Sequence, residues 1–266
     1  MRVRSLHRYP VKSMLGEAVS TLSVDPRGAE GDRRFALLDQ STGRIASAKQ
    51  ARLWRGLLQC SARTVAGQVR IVLPDGVTTT ADHEDVDDAL SRVLCRPVRL
   101  IAHRPQGATL ERADPDQVLD RGEDAQVDAP LLEIGQATPG DSFTDLAPLH
   151  AITTATVERV GTEPLRYRPN IVIDTPAGVP AYTENDWVGR TLTVGGVRMR
   201  AMGATPRCAI PTLEHGRLPR APHALRAPAA ENRVDTLGLG VLPCAGVYLE
   251  VLDEGPIRTG DPVRVD

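Results

Sequence analysis

The sequence predicts a mostly β fold, arranged as β-barrel units with a few short helices. Three observations carry this prediction. Short runs rich in valine, isoleucine and threonine recur along the chain, separated by glycine, proline and aspartate. Apolar residues at helical spacing occur only in brief stretches. Many short strands with few helices are best accommodated by a sheet that closes on itself and leaves no open edge. The 266 residues are enough for one large domain or two smaller ones with substantial cores.

The elements follow in chain order. Residues 3–11 read as the first strand, and residues 19–25 and 34–39 as two more, the turn between them passing through Pro26, Arg27 and Gly28. Residues 69–73 and 77–80 flank Pro74-Asp75-Gly76, which has the turn chemistry of a hairpin. Residues 85–94 make a short amphipathic helix, with Val86, Leu90, Val93 and Leu94 on one side and an acidic start suited to a helix N-terminus. A strand at 98–102 closes this first unit, residues 1–103. Residues 104–126 are polar and lack periodicity, as expected of a connection or a lid. The second unit occupies 127–266. In it, residues 151–160 read as a strand passing into a helix, 170–174 as a buried strand, and 192–200 as a hairpin about Gly195-Gly196. Residues 221–232 read as a helix or a proline-broken loop, and 246–252 and 262–265 as the last strands. No internal repeat is present.

Composition excludes several function classes. The formal charge is −2 and aromatic residues make up 3% of the chain. A nucleic-acid partner would call for a clustered basic excess or a stacking platform, so none is expected. The N-terminus has no apolar h-region or cleavage pattern, and no apolar run approaches the roughly 18 residues of a membrane span. The expectation is a cytoplasmic protein without a membrane partner. Cys60, Cys95, Cys208 and Cys244 lie far apart with no C-x-x-C pair, which argues against a zinc ribbon, a redox dithiol or an iron–sulfur cluster. Only two of the 32 basic residues, Lys12 and Lys49, are lysines.

Several segments bear chemistry. Cys208 follows a strand-like run, in the proline-broken turn Ala204-Thr205-Pro206-Arg207-Cys208-Ala209. A thiol presented in a loop beside a cation is in a setting that favours nucleophilic and metal-binding behaviour. Lys12 and Ser13, just after the first strand, pair a charge with a hydroxyl and suit a phosphate. Arg33 and Arg34 begin another strand and should point to opposite faces. Arg168-Pro169-Asn170 enters a buried strand, with an arginine able to grip an anion and an asparagine able to read a heterocycle edge. The six histidines are scattered, and no triad, phosphate loop or dinucleotide fingerprint is present.

Taken together, Tyr9-Pro10-Val11-Lys12-Ser13, Gly31-Asp32-Arg33-Arg34-Phe35, the stretch from Phe143 to His150, the stretch from Arg166 to Val172, and Pro206-Arg207-Cys208 resemble MOSC proteins in order and spacing. That family is named for the C-terminal domain of molybdenum-cofactor sulfurase, and the first third of the chain resembles the MOSC N-terminal β-barrel. The resemblance extends to the amidoxime-reducing members. It implies a molybdenum cofactor (Mo-molybdopterin) held between the two units, with Cys208 as the metal ligand and catalytic residue. By the same resemblance Lys12, Ser13, Arg33, Thr153, Arg168, Asn170, Arg207 and Tyr248 match cofactor contacts. Thr212 and Glu214 fall where the family carries a threonine and an acidic residue after the cysteine, usually aspartate. Some bacterial relatives end with a ferredoxin-like domain that is not seen before Asp266, so electrons are expected from a separate flavoprotein, ferredoxin or similar donor. Residues 216–226 do not resemble the amidoxime reducers, which leaves the substrate open. The implied activity is reduction of N-hydroxylated or related oxygenated substrates. The alternatives are a sulfur carrier with a persulfide on Cys208, loaded by a cysteine desulfurase, and a non-catalytic cofactor carrier.

Overall fold

The structure is a computed structural model and describes residues 1–266. The fold is mostly β, with few and short helices. The first half contains β1 (Arg2–Arg8), β2 (Glu17–Val19), β3 (Thr21–Asp25), β4 (Gly28–Ala29), β5 (Ala36–Asp39), α1 (Ala51–Trp54), β6 (Ser61–Val65), β7 (Gln68–Val72), β8 (Thr78–Thr80), α2 (Val86–Leu94) and β9 (Val98–Ile101). The connecting segment holds β10 (Thr109–Glu111) and α3 (Pro115–Arg121), and β11 (Leu131–Glu133) pairs back onto β10. The second half contains β12 (Leu149–Thr153), α4 (Thr154–Val160), β13 (Ile171–Asp174), β14 (Thr191–Val194), β15 (Val197–Pro206), α5 (His223–Glu231), β16 (Arg233–Asp235), β17 (Val241–Val251), β18 (Gly255–Arg258) and β19 (Val263–Val265).

The main sheet runs β19-β14-β15-β17-β12-β13-β1-β2, with β16 paired to the start of β17. It closes on itself. Arg2 bridges Pro262, and the Val263 amide donates to the Met1 carbonyl at 2.9 Å, so β1 meets the β19 end. Closure gives every barrel strand two neighbours and removes the open edge. Only β12 and β13 run parallel, and α4 makes the crossover that parallel pairing requires. Inward-facing side chains such as Leu6, Leu149, Ile171, Leu192, Met199 and Leu249 fill the barrel. Their alternation with exposed neighbours follows the period of two of a strand, seen plainly in β15.

The first half builds a second core around Leu37, Trp54, Leu57, Ile71 and Leu90. The helix α2 places Val86, Leu90 and Leu94 on this core, with Asp87 and Asp88 in its first turn and a left-handed Cys95 at its end. The two halves are interlaced rather than side by side. β1, β3 and β4 come from the first third of the sequence, but Leu6, Leu22, Val24 and Ala29 pack in the barrel core together with Ile257 of β18, which pairs with β3. The polar segment expected to be a connection or a lid contains β10 and α3. Asp114 caps α3 through its side chain, and Pro115 takes the first helical position. No helix is long and apolar enough to cross a membrane.

Candidate functional site

A cleft of about 450 Å³ opens where the two halves meet. Lys12 and Ser13 reach it from the loop after β1, Arg33 from the loop before β5, and Ser47 and Lys49 from the loop before α1. Arg112 comes from the connecting segment, and Thr144 and Asp145 from the loop before β12. The barrel contributes His150, Arg168, Asn170, Thr205, Arg207, Cys208 and Tyr248.

The backbone is unusual at these positions. Ser13, Arg33 and Arg168 all adopt left-handed conformations, with φ of 65°, 44° and 54°. Each costs of the order of 1–3 kcal/mol for a residue with a Cβ, and such costs persist where the surroundings fix the geometry for a purpose. The Arg33 turn explains why Arg33 faces the cleft while Arg34 turns out and stacks on Phe35, at 5.2 Å from the ring centroid. The strand itself starts later, at Ala36.

Tyr9 organises two of the cations. The guanidinium carbons of Arg168 and Arg33 lie 4.4 and 4.8 Å from its ring centroid. Arg33 also pairs with buried Asp32 and donates to the Arg168 carbonyl at 3.1 Å. Arg168 donates to the Met14 carbonyl at 2.6 Å, and its Nη2 is buried without a partner. Burial, then the nearby charge of Arg33, brings the Arg168 guanidinium down to about 10. Arg207 lies over Tyr167 at 5.1 Å and donates to the carbonyls of Ala245 (2.8 Å) and Tyr167 (3.2 Å). Its Nη2 also donates to His150 Nε2 at 2.6 Å. Burial first, and then the charge of Arg207, hold His150 well below its usual range, so the ring is neutral and accepts this bond.

Two ammonium groups share one carboxylate. Lys12 Nζ lies 2.6 Å from Asp145 Oδ1, and Lys49 Nζ lies 3.0 Å from Asp145 Oδ2. Burial alone would raise the Asp145 carboxyl. The charges of Lys12 and then Lys49, with their hydrogen bonds, override it and hold the group far below the usual carboxylate range. Burial brings Lys12 down to about 8, with Asp145 opposing the shift. Lys12 also donates to the Phe143 carbonyl at 2.8 Å.

Cys208 lines the same cleft, immediately after β15 and before the short 3-10 turn Ile210–Thr212. It is half-buried, and it packs at the edge of a small cluster formed by Ala48, Ala51, Leu58, Ile210 and Leu213. That cluster joins the first half of the chain to the second. The loop is held on both sides: Arg112 donates to the Arg207 carbonyl at 3.2 Å, and Ala209 packs on Ala113 and Val118 of the connecting segment.

Residues 1–104 match the MOSC N-terminal beta barrel domain, and residues 142–264 match the MOSC domain. The chain belongs to the MOSC-domain family. A stretch of 137 residues is 27% identical to mitochondrial amidoxime reducing component 2 of Rattus norvegicus, covering 46% of this chain and 38% of that protein. The chain thus aligns with well under half of the rat protein's length. Among solved structures, the YUAD protein from Bacillus subtilis is 11% identical, with 99% of this chain and 94% of that chain covered at a TM-score of 0.43. YiiM from Geobacillus stearothermophilus is 20% identical, with 45% and 54% covered at a TM-score of 0.31.

In this MOSC protein Lys12, Ser13, Arg33, Arg168, Asn170, Arg207, Cys208 and Tyr248 all line the one cleft. Thr153 does not. Its hydroxyl caps α4 by accepting from the Thr156 amide, and its own amide donates to Glu184 at 3.1 Å. Asn170 faces the cleft, but its amide is already engaged by protein. Its Oδ1 accepts from the His150 amide (3.2 Å) and Arg33 (3.3 Å), and its Nδ2 donates to the His7 carbonyl (3.3 Å). It therefore ties the two halves together rather than presenting a free recognition edge. Tyr248 is packed edge-on to His150, with ring centroids 6.1 Å apart. Ser47, Lys49, Arg112, Thr144, Asp145 and Thr205 also line the cleft, as do the charged Glu133 and Arg166, and none of these is among the contacts expected from the sequence. The signal for Lys49 was its rarity, and Asp145 sits inside a stretch that carries the MOSC resemblance.

The cleft's donor set fits an anionic, hydrogen-bonding group. Arg112, Arg168 and Arg207 have no carboxylate partner, and Lys12 and Lys49 share a single one. The buried Arg168 Nη2 and Thr205 Oγ1, both in cleft-lining residues, have no hydrogen-bond partner, and buried polar groups are seldom left so. No group of three His, Cys, Asp or Glu side chains is present to hold a bare metal ion. A metal arriving with its own sulfur ligands needs only one thiolate from the protein, and Cys208 faces the cleft.

Proposed function

We propose that this chain is a molybdenum-cofactor-dependent oxidoreductase that reduces N-hydroxylated or related oxygenated small molecules in the cleft. One observation carries the reading: a half-buried thiol and a surplus of buried cations, drawn from both halves of the chain, face the same space. The name of the rat relative, an amidoxime reducing component, supports the substrate class. Cys208 would be the protein's ligand to molybdenum, a soft thiolate beside the cofactor's own sulfurs. Lys12, Ser13, Arg33 and Arg168 would neutralise the cofactor phosphate, and Arg207 and Tyr248 would border its ring system. The bound cofactor supplies the two-electron redox chemistry.

The chain's own residues supply position and charge. Tyr9 and Tyr167 hold three guanidinium groups face-on, so these cations are in place before any ligand arrives. Neutral His150 receives one N–H of Arg207 and fixes that side chain without adding charge. Reduction of an N–OH group to N–H releases water and takes up two electrons and two protons. The electrons would come from a separate flavoprotein, ferredoxin or similar donor, in the cytoplasm. The test is metal and pterin analysis of protein purified from a host with an intact cofactor pathway. The expected result is one molybdenum and one pterin per chain, lost on Cys208→Ser. Protein lacking both would sink the reading, and bound pterin without turnover would make the chain a carrier.

A second reading, a persulfide carrier served by a cysteine desulfurase, is supported by Cys208 alone of the four thiols lining the cleft, Cys60 and Cys244 being buried and Cys95 exposed outside it. Mass spectrometry after incubation with a desulfurase separates the two. A sulfur adduct on Cys208 in metal-free protein favours the carrier.

A further inference from the structure

The cations assigned to the cofactor leave three at the cleft: Arg166, which is spent on Glu163 and the carbonyls of Leu213 and Pro219, and Lys49 and Arg112, which lie on the Cys208 side. Arg112 donates one N–H to the carbonyl of Arg207, the residue before Cys208. Its neighbour Ala113 packs on Ala209, the residue after Cys208, and the Ala113 amide donates to the Lys49 carbonyl at 3.1 Å. Two hydrogen bonds and one apolar contact therefore bring two cations from distant segments to the thiol loop. Arg112 has no carboxylate within ion-pair distance and is only half-buried, so the rest of its fork is available to a ligand. Lys49 Nζ holds Asp145, which it shares with Lys12, so the three groups together retain one positive charge.

We propose that Arg112 and Lys49 form a second anion-recognising subsite beside Cys208, which holds a carboxylate or oxyanion carried by the substrate. The inference deepens the oxidoreductase reading and rests on it for the site of turnover. Arginine presents a planar pair of donors that matches a carboxylate, and a half-buried setting strengthens the contact. Leu131 and Leu239 line the same cleft while remaining exposed, at 50% and 54%. They provide an apolar surface for the uncharged body of such a substrate.

Two measurements test the subsite. In the first, cofactor-loaded enzyme reduces benzamidoxime and its 4-carboxylate derivative with a chemical electron donor. The ratio of kcat/KM for the charged to the neutral substrate is expected to fall roughly tenfold in Arg112→Gln, the size of one charge-assisted contact, and to recover in part in Arg112→Lys. In the second, calorimetry measures benzoate and benzamide binding to the same protein without turnover. The wild-type chain is expected to prefer benzoate, and Arg112→Gln to lose that preference while keeping its thermal midpoint. An unchanged ratio, or an unchanged benzoate preference, overturns the subsite. Benzoate preference dependent on Arg112 in protein with no reductase activity would uphold the subsite and reject the oxidoreductase reading.

Discussion

Lys12 and Lys49 divide one carboxylate between them, and this makes the cleft sensitive to pH. Burial brings Lys12 down to about 8, so its positive charge is present below that pH and lost above it. Sulfate keeps a fixed charge across this range and isolates the effect. Its affinity for the cofactor-free chain is expected to fall several-fold as pH rises from roughly 7 to 9, with a flatter profile in Lys12→Met. An identical slope in both proteins would assign the dependence to another group. Cys208 is expected to behave differently from a core residue. It sits half-buried at the edge of its cluster, so Cys208→Ser should shift the thermal midpoint by only a few degrees while abolishing molybdenum retention. The site residues were legible where charge and turn chemistry coincide, as at Lys12-Ser13, Arg33 and Arg168-Pro169-Asn170. Thr153 lies outside the cleft lining, and a threonine entering a helix has a capping role that its sequence position does not distinguish from ligand contact. Arg112 was hidden for the opposite reason: its segment is polar throughout, and its role depends on packing against a loop about 95 residues away.

The strand β17 runs from the mouth of the cleft to the far end of the barrel and pairs with β12, β15 and β16. Gly246 lies midway along it, with φ of 82°. A Cβ there would stand 2.4 Å from His150 Nε2 and 2.5 Å from the Ala151 carbonyl oxygen. Gly246→Ala should therefore displace His150 from Arg207 and strain the backbone, at a cost of about 2–5 kcal/mol. A thermal shift of at least about 5 °C downward is expected for a chain of this size. A shift near zero would mean that β17 relaxes freely at that point. Among the elements, the helix α2 and the β7–β8 hairpin were legible because each has its own period and end signals. The short helix α1 and the 3-10 turn after it were not, since four or five residues cannot display a period. The helix α3 carried its start signals, Asp114 and Pro115, but buries only Val118 and so lacks an apolar stripe. β18 was missed because its identity comes from pairing with β3, some 230 residues earlier in the chain.

The two halves share strands, so they should unfold together. Each core contains one tryptophan, Trp54 in the first and Trp187 in the barrel. Urea titrations of Trp54→Phe and Trp187→Phe, each corrected to its own stability by circular dichroism, are expected to show the remaining tryptophan's fluorescence change at the same midpoint as the loss of secondary structure. Two separated transitions within one variant would mean that the halves are autonomous. At this scale the mostly β character was legible in the sequence, and the exchange of β1, β3 and β4 into the barrel core was not, because pairing partners that distant leave no local signal. The exchange also sets a clock on biosynthesis. Arg2 meets Asp174 across 172 residues, which a ribosome takes roughly 10 to 35 s to add. Through that interval β1 has only the short β2 beside it and its other edge stays open, in a crowded cell, as a template for any other extended chain. Its sequence, Arg2-Val3-Arg4-Ser5-Leu6-His7-Arg8, interleaves three arginines with its two buried apolar residues. Charges so interleaved disfavour pairing of that open edge with another chain.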